Sequence, residues 1–156
     1  MKIILLILMT ISLYSTELKI KAKNFNSDQK KGISIFKGNV NIIKDSDELN
    51  ASSVIVYTDA EQQPTKFIAE GDVSFFITTE DGMKYKGKAQ KTIYLPKTKE
   101  YYFYTDVHLR QIGEKKEIIG DEVVLKSIDG KAHATSKSDK PVIMIFDIKD
   151  EKKKEK

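Results

Sequence analysis

The chain has no cysteine among its 156 residues. Disulfide stapling is excluded, and so is membrane attachment through a lipidated N-terminal cysteine. Leucine is scarce. Outside the extreme N-terminus no window carries a sustained i, i+3, i+4, i+7 apolar stripe, so almost no helix is expected there. The two histidines, His108 and His133, have no HxxxH or HExxH partner, which leaves a metal centre without ligands at useful spacing. No Gly-x-Ser-x-Gly elbow or phosphate-cradling glycine loop occurs. Asp45, Asp47 and Glu48 imitate the start of a calcium loop but lack its glycine and closing glutamate. The expectation is a protein that is not an enzyme and carries no metal or cofactor.

What is present is strand-forming material. Apolar residues make up 40% of the chain, with Ile, Val, Tyr and Thr plentiful. Met1-Lys2 followed by the apolar run Ile3 to Leu13 reads as a secretory signal over residues 1–16, with Ser15 or Thr16 as the small residue for cleavage and an uncleaved anchor as the alternative. The run is shorter than the ~20 residues a spanning helix needs. Residues 1–16 carry one lysine and no acid, so their removal lowers the formal net charge of +4 by one. Such a mildly basic exported chain is not a nucleic-acid binder; its anionic partners would lie outside the cytoplasm, the alternative being a merely solubilising surface. The charge run over 147–156 has nothing to bury and is expected to be a disordered, lysine-rich tail.

One phrase recurs. Phe36-Lys37-Gly38-Asn39-Val40-Asn41-Ile42 returns as Ala69-Glu70-Gly71-Asp72-Val73-Ser74-Phe75, and again, with Thr105 in place of glycine, as Tyr104-Thr105-Asp106-Val107-His108-Leu109. The valines are spaced 33 and 34 positions apart, and a fixed period in this range signals stacked units. Each copy reads as a turn feeding a strand, because Gly beside Asn or Asp supplies left-handed backbone and alternation follows at once. Around Lys37-Gly38-Asn39 the faces change parity between Ile33 and Ile35 on one side and Val40 and Ile42 on the other, so the chain must bend or bulge there, as a strand does on turning a corner between sheets.

In order, Leu18-Lys19-Ile20-Lys21-Ala22 alternates as a lysine-edged strand. Strands follow around Ile33 to Ile42, Leu49 to Val56, Phe67 to Ile77, Met83 to Ala89, Ile93 to Leu95, Tyr101 to Tyr104, Val107 to Gln111, Ile118 to Leu125, Ala132 to Thr135 and Val142 to Phe146. Pro64, Pro96 and Pro141 mark breaks. About a dozen short antiparallel strands in three stacked units of about 33 residues make an all-β domain over residues 17–146.

The order and spacing of Lys30-Lys31-Gly32-Ile33, Phe36-Lys37-Gly38-Asn39-Val40, Leu49-Asn50-Ala51, the second Gly-Asx-Val, Tyr85-Lys86-Gly87-Lys88-Ala89 and Ile119-Gly120-Asp121 resemble the LptA/OstA-like family of periplasmic lipopolysaccharide transport proteins. The resemblance covers nearly all of the chain after residue 16. It implies a V-shaped antiparallel β-jellyroll whose two sheets enclose an apolar groove, located in the periplasm and stacked head to tail as a homo-oligomer. It also implies an LptC-like inner-membrane partner, an LptD-like outer-membrane partner, and acyl chains of lipopolysaccharide held in the groove without chemistry.

The inward set is expected to be Ile35, Val40, Ile42, Val54, Val56, Val73, Phe75, Ile77, Tyr85, Tyr102, Val107, Leu109, Val123 and Leu125. By residue type alone these form an ordinary sandwich core; on the resemblance they line a lipid-binding groove, with Phe75, Ile42 and Val56 as acyl contacts. Lys84, Lys86 and Lys88 at the groove rim are candidate contacts to the lipid A phosphates, or else a solvent face. Two alternatives stay open: an LptC-like component or LptD-like N-terminal domain of the same system, and a secreted glycan-binding β-sandwich that uses Tyr101-Tyr102-Phe103-Tyr104.

Overall fold

The computed structural model describes residues 16–148. The signal read over residues 1–16 lies, apart from Thr16, outside the described residues, as do residues 149–156 of the tail. The described residues contain ten strands and no helix: β1 (Leu18–Lys21), β2 (Asn24–Asp28), β3 (Ile33–Lys44), β4 (Asp47–Thr58), β5 (Pro64–Thr78), β6 (Lys84–Leu95), β7 (Glu100–Gln111), β8 (Lys116–Lys126), β9 (Lys131–Thr135) and β10 (Ile143–Ile145). They form one antiparallel sheet in the order β1-β3-β4-β5-β6-β7-β8-β10, with β2 also paired to β3 and β9 to β8. The three hairpins β3/β4, β5/β6 and β7/β8 are the repeated units, and each carries one copy of the phrase in its first strand.

The phrase is a kink inside a long strand rather than a turn between short ones. In each copy two consecutive residues are left-handed: Gly38 and Asn39 (φ 85° and 47°), Gly71 and Asp72 (84° and 45°), Thr105 and Asp106 (63° and 51°). At all three the pairing register jumps, between Lys37 and Val40, Glu70 and Val73, and Tyr104 and Val107. The strands continue through the kinks, which is why six of the ten run 11 to 15 residues where short strands were expected.

A bulge of this kind bends both strands of a pair. Aligned across the sheet, the kinks crease it into two facing halves. On one half, Phe36, Val54, Ala69, Thr92, Phe103, Val123 and Ala134 stand opposite one another and point inward. On the other half, Ile20, Ile42, Leu49, Phe75, Gly87, Leu109, Ile118 and Met144 form the matching row. Phe75 and Phe103 come from opposite sides of the crease, yet their rings stack with centroids 4.3 Å apart. Only a folded sheet brings them together.

Two residues expected inside lie outside. Ile35 and Tyr102 share a row with Ile55, Ile68, Ile93 and Val124 on the outer surface of the first half. The cause is twofold. A two-residue kink leaves the parity of β3 and β7 unchanged, so Phe36 and Val40, and Phe103 and Val107, face the same way; parity switches instead on β4, β6 and β8, between Ala51 and Val54, Ala89 and Thr92, and Gly120 and Val123. This half is also apolar on both faces, as in Val54-Ile55-Val56 and Tyr101-Tyr102-Phe103, so alternation there carries little information.

Gly71 has no room for a side chain, since a Cβ would sit 2.6 Å from Ser52 Oγ. Thr105 holds the equivalent left-handed position with a β-branched side chain, which carries steric strain. Thr105→Gly is therefore expected to raise stability by about 1 kcal/mol, the relieved strain exceeding the added unfolded-state entropy. Denaturant midpoints measured beside wild type check this, and a lower midpoint would contradict the reading of the kink.

Candidate functional site

The space between the two halves is the site that the fold builds. Its centre is filled: Val54, Val73, Phe103, Val107, Val123 and Leu125 are 0% exposed, and Phe75 lies over Gly87, where a Cβ would meet the ring at 2.8 Å. On the β1 side of this packed centre a cleft of about 290 Å³ opens between the halves. Ile42, Leu49 and Ile77 line it from one half, and Phe67, Tyr94 and Tyr101 from the other. These three aromatics are cross-strand neighbours on β5, β6 and β7, and the two tyrosines stack at 4.4 Å. Burial pushes both phenols above their ordinary range, so they remain neutral in an apolar setting. On the β10 side a smaller cavity of about 150 Å³ lies among Tyr85, Leu109, Ile118 and Met144.

The mouth opposite the crease is fastened at one place. The Glu80 amide donates to Ser127 O across the mouth at 3.0 Å, and Lys99 Nζ pairs with the Glu80 carboxylate. The hydrogen bond and charge they share lower the Glu80 pKa and raise that of Lys99. Nearer β1 the rim carries Lys44, Asp47 and Gln63 without such a bridge among the described residues. Asp47 accepts from the Thr78 amide at 2.8 Å; burial outweighs that bond and raises its pKa. It is thus tied to its neighbour strand rather than gathered with Asp45 and Glu48, and no group of three or more potential metal ligands converges among the described residues.

Of the expected inward set, Val40, Ile42, Val54, Val56, Val73, Phe75, Ile77, Tyr85, Val107, Leu109, Val123 and Leu125 all belong to the interior or its partly buried margin. Missing from that set were Ile118, Ile20, Met83, four alanines and, most consequentially for the cleft and its surroundings, Phe36, Leu49, Phe67, Tyr94, Tyr101 and Phe103. The signal for Tyr101 and Phe103 was available, because they share odd parity with Val107. Lys84, Lys86 and Lys88 are not at the rim: they alternate along the outer face of β6, opposite Thr78, Phe76 and Ser74. In the tyrosine-rich run, Tyr102 and Tyr104 face outward; Tyr102 donates to Glu100, and Lys137 Nζ lies 5.9 Å from the Tyr104 ring centroid.

The two ends of the sheet differ. β1 and β2 edge one end, with Leu18 and Phe25 exposed; β9 and β10 edge the other, with Val142 through Phe146 exposed. The link between β9 and β10 is organised by Asp121 at the crease. Its carboxylate accepts from the amides of Lys137 (2.9 Å) and Ser138 (3.0 Å) and from the hydroxyls of Ser136 (3.2 Å) and Ser138 (2.8 Å).

Residues 19–131 match the family described as LptA/(LptD N-terminal domain) LPS transport protein. The chain belongs to this family of LPS transport proteins. The match runs from β1 to the first residue of β9, so all three kinks and the cleft residues named above lie within it. The family so described is one of transport proteins. Among solved structures, the crystal structure of LptH, the LptA-homologous periplasmic component of the conserved lipopolysaccharide transport device from Pseudomonas aeruginosa, is similar with a TM-score of 0.73. It shares 16% sequence identity, and the alignment covers 85% of this chain and 96% of LptH. The likeness establishes a common β-jellyroll fold. No curated protein matches the chain by sequence.

The four donors hold the Asp121 carboxyl below its ordinary pKa of 3.8, the Ser138 hydroxyl contributing most. A depressed folded pKa means that this anchor is fully present above the unfolded value and is lost as pH falls through the folded one. The Lys137 and Ser138 amide resonances are therefore expected to move together below about pH 4. In Asp121→Ala they should occupy the released position already at neutral pH. Acid-insensitive resonances in wild type would contradict the anchor.

Proposed function

We propose that this protein is a periplasmic carrier of lipopolysaccharide, exported by its N-terminal segment, that holds acyl chains between the two halves of the jellyroll spanning residues 17–146. The observation that carries the reading is the cleft of Ile42, Leu49, Phe67, Ile77, Tyr94 and Tyr101, an apolar opening continuous with the core of a transport-family fold. Burying hydrocarbon there is favourable by ~0.8 kcal/mol per CH₂, so affinity needs no polar contact with the chains. At about 290 Å³ the cleft is small beside the ~300–1,000 Å³ of ordinary ligand pockets. Several chains are accommodated only when the stacked Phe75 and Phe103 part and the halves swing about the crease. The Glu80–Lys99 and Glu80–Ser127 fastening sets how far they open.

The ends supply assembly. β1 and β2 at one end, and β9 and β10 at the other, are open strand edges with exposed apolar residues, suited to head-to-tail addition of another copy, of an LptC-like inner-membrane protein or of an LptD-like outer-membrane protein. Such a stack carries lipopolysaccharide from the inner to the outer membrane. The same family description includes the LptD N-terminal domain, which is the second reading of this chain.

The test uses Leu49→Glu, which places a carboxylate in the cleft at a partly buried position instead of in the packed centre. The variant is expected to keep its strand circular dichroism and to lose lipopolysaccharide binding by tenfold or more. Unchanged binding by a folded variant would refute the interior as the lipid site.

A further inference from the structure

Among the described residues, a concavity larger than the cleft lies outside the space between the halves. It is a hollow of about 500 Å³ on the outer surface of the second half, walled by Phe76, Lys86, Lys88, His108 and Arg110, with Glu48 at one margin. Its composition is unusual for a sheet surface. Lys86 stands directly opposite Arg110, and Lys88 opposite His108, across β6 and β7. Basic groups placed opposite one another repel, and sheets ordinarily alternate the signs. Among the described residues, the carboxylate paired with the basic wall is Glu117, on the far side of β7. Its Oε2 lies 2.7 Å from His108 Nε2, and its Oε1 forms an ion pair with Arg110 Nε at 3.1 Å. Glu117 thereby holds His108 and Arg110 from the β8 side, and both still line the hollow. Lys86 and Lys88 form no ion pair among the described residues, and Glu48 is engaged by Asn41 Nδ2 at 2.7 Å.

We propose that this hollow binds a phosphorylated sugar, separately from the interior cleft. Lys86, Lys88 and Arg110 converge on one region from adjacent strands, the arrangement that neutralises a phosphate monoester, with the guanidinium as the directional donor. The volume far exceeds that of a bare phosphate, a water molecule occupying only about 30 Å³. The remaining wall matches a sugar ring: Phe76 offers an apolar face and Ser74 on the same strand a hydroxyl, while the Asn50 amide beside them is held by Asn41 and Glu48. An anion there also offsets the repulsion between Lys86 and Arg110, which stand opposite one another. The ligand is either a free sugar phosphate or the phosphorylated saccharide of a lipopolysaccharide molecule, and the two sources are separable.

The test is titration of the ¹⁵N-labelled full chain with glucosamine 1-phosphate, with glucosamine and inorganic phosphate run in parallel. Saturable shifts are expected at Ser74, Phe76, Lys86, Lys88 and Arg110 with glucosamine 1-phosphate, and binding at least tenfold weaker with either half of the ligand alone. Lys86→Glu and Lys88→Glu should each weaken binding by about tenfold, whereas Lys19→Glu, on the outer face of β1, should leave it unchanged. No saturable shift, equal binding of inorganic phosphate, or indifference to both lysine substitutions would overturn the proposal. To separate the sources, intact lipopolysaccharide is added to Leu49→Glu: shifts in the hollow that persist there assign the site to lipopolysaccharide saccharide, and their absence assigns it to free sugar phosphates. The hollow and the cleft have Glu48 and Phe76 in common, but Lys86 and Lys88 line only the hollow and Leu49 only the cleft, so different substitutions test the two sites and failure of one leaves the other standing.

Discussion

The structure depends on a backbone constraint repeated three times: two successive left-handed residues inserted into an otherwise extended strand. L-residues resist that conformation, and the first two copies meet it with glycine followed by Asn or Asp, the residue types that tolerate it best. Each insertion bends its strand and partner without ending either. Because the three recur at a period of 33 to 34 residues, every hairpin bends at the same height and one ten-stranded sheet folds along a single crease. β1 and β2 on one edge, and β9 and β10 on the other, follow the two halves of β3 and β8 across that crease.

An interior made in this way is unlike that of two independent sheets. The halves are covalently continuous along the crease and joined only by side chains and loop contacts at the mouth. Packing is tightest where Phe75 meets Phe103 and looser toward either end, where the cavities lie. Separating the halves costs apolar burial but few backbone hydrogen bonds, since the strand ladders run within each half. Such a body can exchange its own side-chain contacts for hydrocarbon, which is the physical requirement of a lipid carrier that must also release its cargo.

The crease was legible in the sequence because it rests on local chemistry, a Gly-Asx pair followed by valine, and the three valines after it, Val40, Val73 and Val107, are all buried. That the pair kinks a continuing strand instead of starting a new one was harder to see, since both uses of left-handed backbone leave the same residues behind. The errors at Ile35 and Tyr102 came from the half that is apolar on both faces, where period-two alternation loses its meaning. Polar rows on the second half made Phe75, Ile77 and Leu109 unambiguous. The fastening of Glu80 to Lys99 and Ser127, and the rear clamp of Glu117 on His108 and Arg110, depend on register and folding of the sheet; no short stretch of sequence encodes either.

On the proposed function, acyl chains occupy the space inside the crease and not the outer surface of the sheet. Tyr94 and Ile93 are consecutive residues of β6 that face opposite ways, Tyr94 into the cleft and Ile93 outward. A photo-reactive amino acid placed at each position in turn, in cells that make lipopolysaccharide, asks the question with a one-residue displacement. A lipopolysaccharide adduct is expected from position 94 and none from position 93. Adducts of equal yield at both positions, or at neither in a folded and exported protein, would contradict it.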